Sequence, residues 1–299
     1  MHKYLRAIGF SQLEGKRPLK ELLTEVVMNP DYQHATTDVN GDLLGDYSKN
    51  ITSRLGITVC GEYDEENRFI YDFYFPYLLG NEITSCEEIS VDRHAEKSSY
   101  AGVCDELRVG ISLIFYLQNR IPYVKAEAGN MLPIQGTSVT LTGLSIGGSV
   151  LLPIKKNEEQ IAKTNQRKLA RTKLMEEARK GSEEAIETLT MEDMDTYSVI
   201  SGRIGKEDIF SMVDTYFMPY GVECDLYSVL GEIRQVEKER NPYTGEEIYI
   251  LKIESNDLTF DLCINIMDLF GEPKVGRRFK GTMWLQGHIH FPAEEERMF

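Results

Sequence analysis

Arg277–Phe291, RRFKGTMWLQGHIHF, decides how this chain is read. Taken every second residue, it separates into two sets. Phe279, Met283, Leu285, Ile289 and Phe291 point one way, and Arg278, Lys280, Thr282, Trp284, Gln286, His288 and His290 point the other. A period of two over so long a run predicts a strand with one packed and one polar face. The polar side holds the only Trp of the chain and two of its five His. Arg278, Lys280, Trp284, Gln286, His288 and His290 therefore form the candidate binding stripe. They combine cations, an aromatic ring and hydrogen-bonding groups, the mixture that recognition surfaces favour. The run is longer than an ordinary strand, so a bend is expected at Gly281 or Gly287.

Working outward from that run, Leu226–Val236 and Glu247–Ile253 flank the turn-forming Asn241–Gly245. Leu258, Phe260, Leu262 and Ile264 alternate after a second turn at Ser255–Asp257. Four or five short antiparallel strands in this space predict a small barrel, similar to an oligonucleotide/oligosaccharide-binding (OB) fold. Upstream, Lys155–Lys180 lacks Gly and Pro and is rich in Lys, Glu, Gln and Arg, so it reads as an exposed helix. Gly181 ends it and Ser182 caps the next helix, while Thr190 is placed to cap a further one from Met191.

The N-terminal half reads as a helix over Pro18–Met28, a polar loop over Asp31–Lys49, and then strands. Ile57–Tyr63 and Arg68–Pro76 flank a turn at Asp64–Asn67. Glu88–Arg93, Arg108–Gln118, Ser138–Leu144 and Gly148–Ile154 are further strand candidates. Strands and helices do not alternate regularly, which argues against a parallel doubly wound sheet. The expected fold is α+β in three parts: an antiparallel domain over 1–154, a helical connector over 155–204, and a small barrel-like module over 205–299.

The chain has 299 residues and a formal net charge of −15. Residues 1–150 and 191–299 contribute −7 and −10, whereas 151–190 is +2. So acidic a chain repels phosphate backbones, which disfavours generic nucleic-acid binding. Five Cys without a C-x-x-C pair fit reduced thiols better than a disulfide framework. No apolar run has the length of a signal-peptide core or a membrane span. A cytoplasmic protein is expected.

Catalytic patterns are incomplete. Gly143-Leu-Ser145-Ile-Gly147 matches G-x-S-x-G, but a strand follows where a nucleophile elbow needs a helix. Asp38-x-Asn40-x-Asp42 starts like a calcium loop, yet Leu43 and Lys49 occupy the positions of the required Gly and Glu. His94 and Cys104 have no local support as a thiol–imidazole pair. His288 and His290 share a strand face but need a third metal ligand. The aromatic strip Tyr71, Phe73 and Phe75 reads as core. The basic island Gly276–Gly281 is expected to pair with the module's own carboxylates. No cofactor is expected.

Several phrases carry a resemblance. They are MHKYLRAIGF at Met1, FYFPYLLG at Phe73, SYAGVCDELRVGISLIFYLQN at Ser99, FMPYG at Phe217, and the run from Gly271 containing GEP, VGRRFKG and WLQG. Together they resemble a family of anaerobic Gram-positive bacteria catalogued as a domain of unknown function. The resemblance implies a bacterial cytosolic protein and lends no activity and no site residues. The leading expectation is a non-catalytic binding or regulatory protein. Its last-strand stripe would meet a protein partner or, most simply, the rest of the same chain. The alternatives are single-stranded nucleic-acid binding, with Trp284 stacking a base and Arg278 and Lys280 holding phosphates, and an unrecognised hydrolase or metal enzyme.

Overall fold

The computed structural model describes residues 2–13, 15–93, 99–106, 108–132, 136–154, 158–203, 210 and 213–292. A 3-10 turn, Lys3–Ile8, precedes α1 (Lys16–Met28), with Pro18 in its first turn. Four strands follow: β1 (Tyr32–Thr37), β2 (Leu43–Asn50), β3 (Leu55–Tyr63) and β4 (Phe69–Leu78). Next come β5 (Ile89–Arg93), β6 (Tyr100–Glu106), β7 (Ile111–Leu117), α2 (Arg120–Ala128), β8 (Ser138–Ser145) and β9 (Gly148–Leu151). Helices α3 (Glu158–Arg179) and α4 (Glu183–Arg203) lead to β10 (Tyr216–Pro219), β11 (Leu226–Arg240), β12 (Glu247–Ser255) and β13 (Leu258–Asn265). A short 3-10 turn, β14 (Leu269–Phe270) and β15 (Arg278–His290) complete the described chain.

The fold is mixed α and β, mostly strands, in largely antiparallel sheets. One sheet takes β1–β4 in sequence order. The second has eleven strands and runs β10-β11-β12-β13-β8-β15-β7-β6-β5, with β9 and β14 at its side. Because β11 also pairs with β15, the strands β11, β12, β13, β8 and β15 close into a five-strand ring. Parallel pairing occurs where β8 meets β13, β7 meets β15 and β9 meets β14. This sheet runs across the expected boundary at 155–204, since β7 and β8 come from before it and β11–β15 from after it.

Two apolar cores result, and β15 divides them. Phe279, Met283, Leu285 and Ile289 enter the core inside the ring with Leu251, Ile253, Leu262 and Val229. Trp284 enters the other core, between the ring's outside and the four-stranded sheet. There Leu144, Ile248, Ile250 and Cys263 of the ring meet Leu55, Val59, Phe75 and Tyr77 of β3 and β4. The wedge between them is Tyr4, Leu5, Ile8 and Phe10 of the N-terminal segment. Gly281 and Gly287 sit where rings cross the backbone. A Cβ on Gly287 would lie 2.3 Å from the Phe115 ring, and one on Gly281 would lie 2.6 Å from that of Phe279.

Several local expectations change. The polar stretch 31–49 is not a loop throughout: it forms β1 and most of β2, and β1 is polar because it is an exposed edge strand, whereas β2 lies inside the sheet. Thr190 does not cap a helix. Its hydroxyl donates to the Ile186 carbonyl inside α4, which continues through Met191. The cap lies at Ser182, whose Oγ accepts the Ala185 N–H. Helix α2 and strands β6, β10 and β14 were not expected.

Candidate functional site

The stripe on β15 is not an open surface. It divides into three intramolecular contacts. At one end, the Arg278 guanidinium donates to three carbonyls, those of Leu152, Val213 and Phe210, at 3.1, 2.9 and 2.8 Å. Lys280 lies 4.0 Å from the centre of the Phe210 ring. The neighbouring Arg277 donates to the Glu272 carbonyl at 2.8 Å. The basic island thus holds carbonyls and an aromatic ring, and Arg277 also has a carboxylate of its own module, Glu272 at 4.0 Å, as expected. It fastens Phe210 and Val213 to the ring.

In the middle, Trp284 is buried at 5% exposure. Its indole stacks on Tyr4, with ring centres 5.2 Å apart and planes inclined by 23°. His2 and Tyr116 approach it at 4.7 and 4.9 Å. The indole N–H donates to Asp225 Oδ2 at 2.7 Å. Asp225 is placed by register: Leu226 pairs with Trp284, and the Asp225 carbonyl accepts the Leu285 N–H. Burial, with Glu223 and Asp225 nearby, raises the Tyr4 phenol, so it stays neutral. Gln286 has no exposed surface. Its Nε2 donates to the Pro76 carbonyl of β4 at 2.8 Å, and its Oε1 accepts from Gln118 at 3.0 Å.

At the far end, His288 and His290 lie with ring centres 5.2 Å apart. His290 pairs with the Thr140 hydroxyl at 2.8 Å. Asn119 clamps the strand beside them: its amide donates to the Ile289 carbonyl and its Oδ1 accepts the Ile289 N–H. His288 Nε2 lies 3.5 Å from that same amide nitrogen. Burial first, and His290 second, lower the His288 pKa to about 4. The folded chain therefore favours neutral His288, whereas the unfolded chain protonates it near the ordinary value of about 6.5. This contribution to stability is complete above that value and is lost as pH falls from about 6.5 to about 4. At ~1.4 kcal/mol per pKa unit, the loss is of order 2–3 kcal/mol. His288→Gln is expected to flatten that part of the stability curve. Urea titrations of both proteins at pH 7 and pH 4.5 measure it, and equal losses in the two would refute it.

The remaining candidates are tied up in structure. Ser145 has no exposed surface, and its hydroxyl donates to the carbonyls of Thr282 and Gly147 at 2.8 and 3.1 Å. The turn after it leads to β9 and not to a helix. The Cys104 thiol is pushed up to about 11, chiefly by burial, and donates to Ser85 Oγ. His94 lies outside the described residues. Asp38 accepts the N–H groups of Asn40 and Asp42, closing a turn where a cation was considered. Phe75 is core as expected, while Phe73 covers the Arg120 guanidinium at 5.3 Å and Tyr71 is half exposed. Among the described residues, no three His, Cys, Asp or Glu side chains gather as a metal site.

The partners that complete the stripe were not found from the sequence. Tyr4, Tyr116 with Gln118, Phe210 and Asp225 come from four separate segments. Two turns grip the N-terminal segment. Asn241 donates from its buried amide to the carbonyls of Ile8 and Gly9, while its Oδ1 accepts the Tyr243 N–H. Asn265 donates to Glu246, which accepts from Ser11.

Fold and contacts define a strand-rich protein whose last strand, β15, is a seam between two cores. The chain belongs to the family described as "Domain of unknown function, E. rectale Gene description (DUF3881)", which it matches over residues 5–287. No curated protein and no solved structure matches it. Among the described residues, no helix is long and apolar enough to cross a membrane.

Proposed function

We propose that the chain is a non-catalytic, cytoplasmic binding or regulatory protein in which the Arg278–His290 stripe serves as an internal interface. In this reading the ring is an OB-like barrel whose closing strand β8 comes from the N-terminal half. Such barrels present an outer face and its loops to ligands. Here that face holds the chain's own N-terminal segment and four-stranded sheet. The observation that carries the reading is Trp284, stacked on Tyr4 with its N–H donated to Asp225. The place where a base would stack is taken by a residue of the same chain, and the cations that would hold phosphates serve carbonyls and a ring. Five free cysteines support a reducing compartment.

The single Trp makes the reading testable without labels. Trp284 emission is expected to be blue-shifted and to resist acrylamide quenching. Adding a single-stranded oligonucleotide at low salt is expected to leave it unchanged. Saturable quenching by the oligonucleotide would overturn the internal-interface reading in favour of nucleic-acid binding.

A further inference from the structure

We infer that the α3–α4 hairpin is a self-association surface, which joins two copies of the chain as a four-helix bundle. The two helices span about 33 and 31 Å at 1.5 Å per residue. They run antiparallel through the Gly181 turn, with Arg171 of α3 3.6 Å from Glu192 of α4. The hairpin meets the body along an open cleft of about 630 Å³, with Arg108, Gly110 and Ser112 on one wall and Arg171, Met175 and Ala178 on the other. Ala185 is buried, but Ile186, Met191 and Met194 of α4 and Leu169 of α3 are 49%, 63%, 67% and 67% exposed. At about 100° per residue, Ile186, Met194 and Met191 fall within an arc of roughly 140° on α4. The same arc carries Glu183 and Glu187, so these exposed apolar side chains stand among carboxylates, and a two-helix unit leaves both to a partner surface.

Charge selects the occupant. Five basic residues and no acid lie between Lys163 and Lys173, and six acids and no base lie between Glu183 and Asp195. The whole chain is at −15, so a second acidic surface is an unfavourable partner for most of it. A second hairpin related by a two-fold axis is different. It sets α3 of each copy against α4 of the other, so each basic stretch meets an acidic one, twice, around the shared Met and Ile stripe.

Sedimentation equilibrium of the full chain at low salt, from about 1 to 100 μM, tests it. The expected species is twice the 34.2 kDa of one chain. The double variant Met191→Glu, Met194→Glu is expected to weaken association at least 100-fold while circular dichroism and the thermal midpoint stay as in the parent. Leu169→Glu provides an independent variant on the other helix. A 34.2 kDa species throughout the range, or a dimer indifferent to both variants, would overturn the inference.

Discussion

Trp284→Ala is expected to lower the unfolding free energy by about 3–5 kcal/mol, the range seen when a buried large aromatic is cut to a methyl group. The site cannot easily collapse. The indole is held by Tyr4 on one side and Tyr116 on another, and both neighbours are themselves packed, Tyr116 against Phe75 and Tyr4 in a turn whose carbonyls are gripped by Asn241 and Asn265. The loss has two parts, and a second variant separates them. Trp284→Phe keeps most of the ring and removes the donor that Asp225 accepts, and it is expected to cost about 1–3 kcal/mol. Urea denaturation followed by circular dichroism measures both. If Trp284→Ala stays within 1 kcal/mol of the parent, the indole is not a structural part of the seam.

Asp46→Ala is expected to cost a similar ~3–5 kcal/mol, because it removes the carboxylate to which two nitrogens of the buried Arg120 guanidinium donate. Side chains of Arg120 and Asp46 are 3% and 7% exposed. Arg120 Nε and Nη2 both donate to Asp46 Oδ1, at 2.9 and 2.7 Å, and Nη2 reaches the carbonyls of Gly45 and Gly61 at 3.4 Å. The pair joins α2 to the four-stranded sheet, so its loss loosens the attachment of that sheet to the rest. Removing both charges with shape retained, as in Asp46→Leu, Arg120→Met, is expected to cost less than Asp46→Ala alone. The same denaturation assay decides it, and a double variant worse than the single would reject the buried pair as the cause.

Much of the strand pattern was legible because it is local. Alternation along 277–291 placed Phe279, Met283, Leu285 and Ile289 on one side and Trp284 and Gln286 on the other, and the two sides do enter different surroundings. Turn chemistry was legible too. Asp64 accepts the N–H groups of Glu66 and Arg68, and Asn67 takes the left-handed conformation, with φ of 58°. Weakly apolar elements were not legible. Strand β1 is an exposed edge, so little in its side chains distinguishes it from a loop. Helix α2 carries Pro122 within its first turn and is only nine residues long.

The candidate site was legible as a set of residues and not as a place. Polar side chains on a strand face are compatible with solvent, a ligand or a second layer of protein, and periodicity is the same in all three cases. The sequence by itself determined that β15 is two-faced, that helices follow β9, and that complete catalytic signatures are missing from its motifs. Only the tertiary structure decided that β8 closes the ring and that Tyr4, Gln118 and Asp225 converge on Trp284 and Gln286. The physical reason is range. A pleat repeats every two residues and is set by neighbours along the chain. The cover over Trp284 comes from residues 59 and about 280 positions away, and that pairing is chosen by the packing of whole sheets.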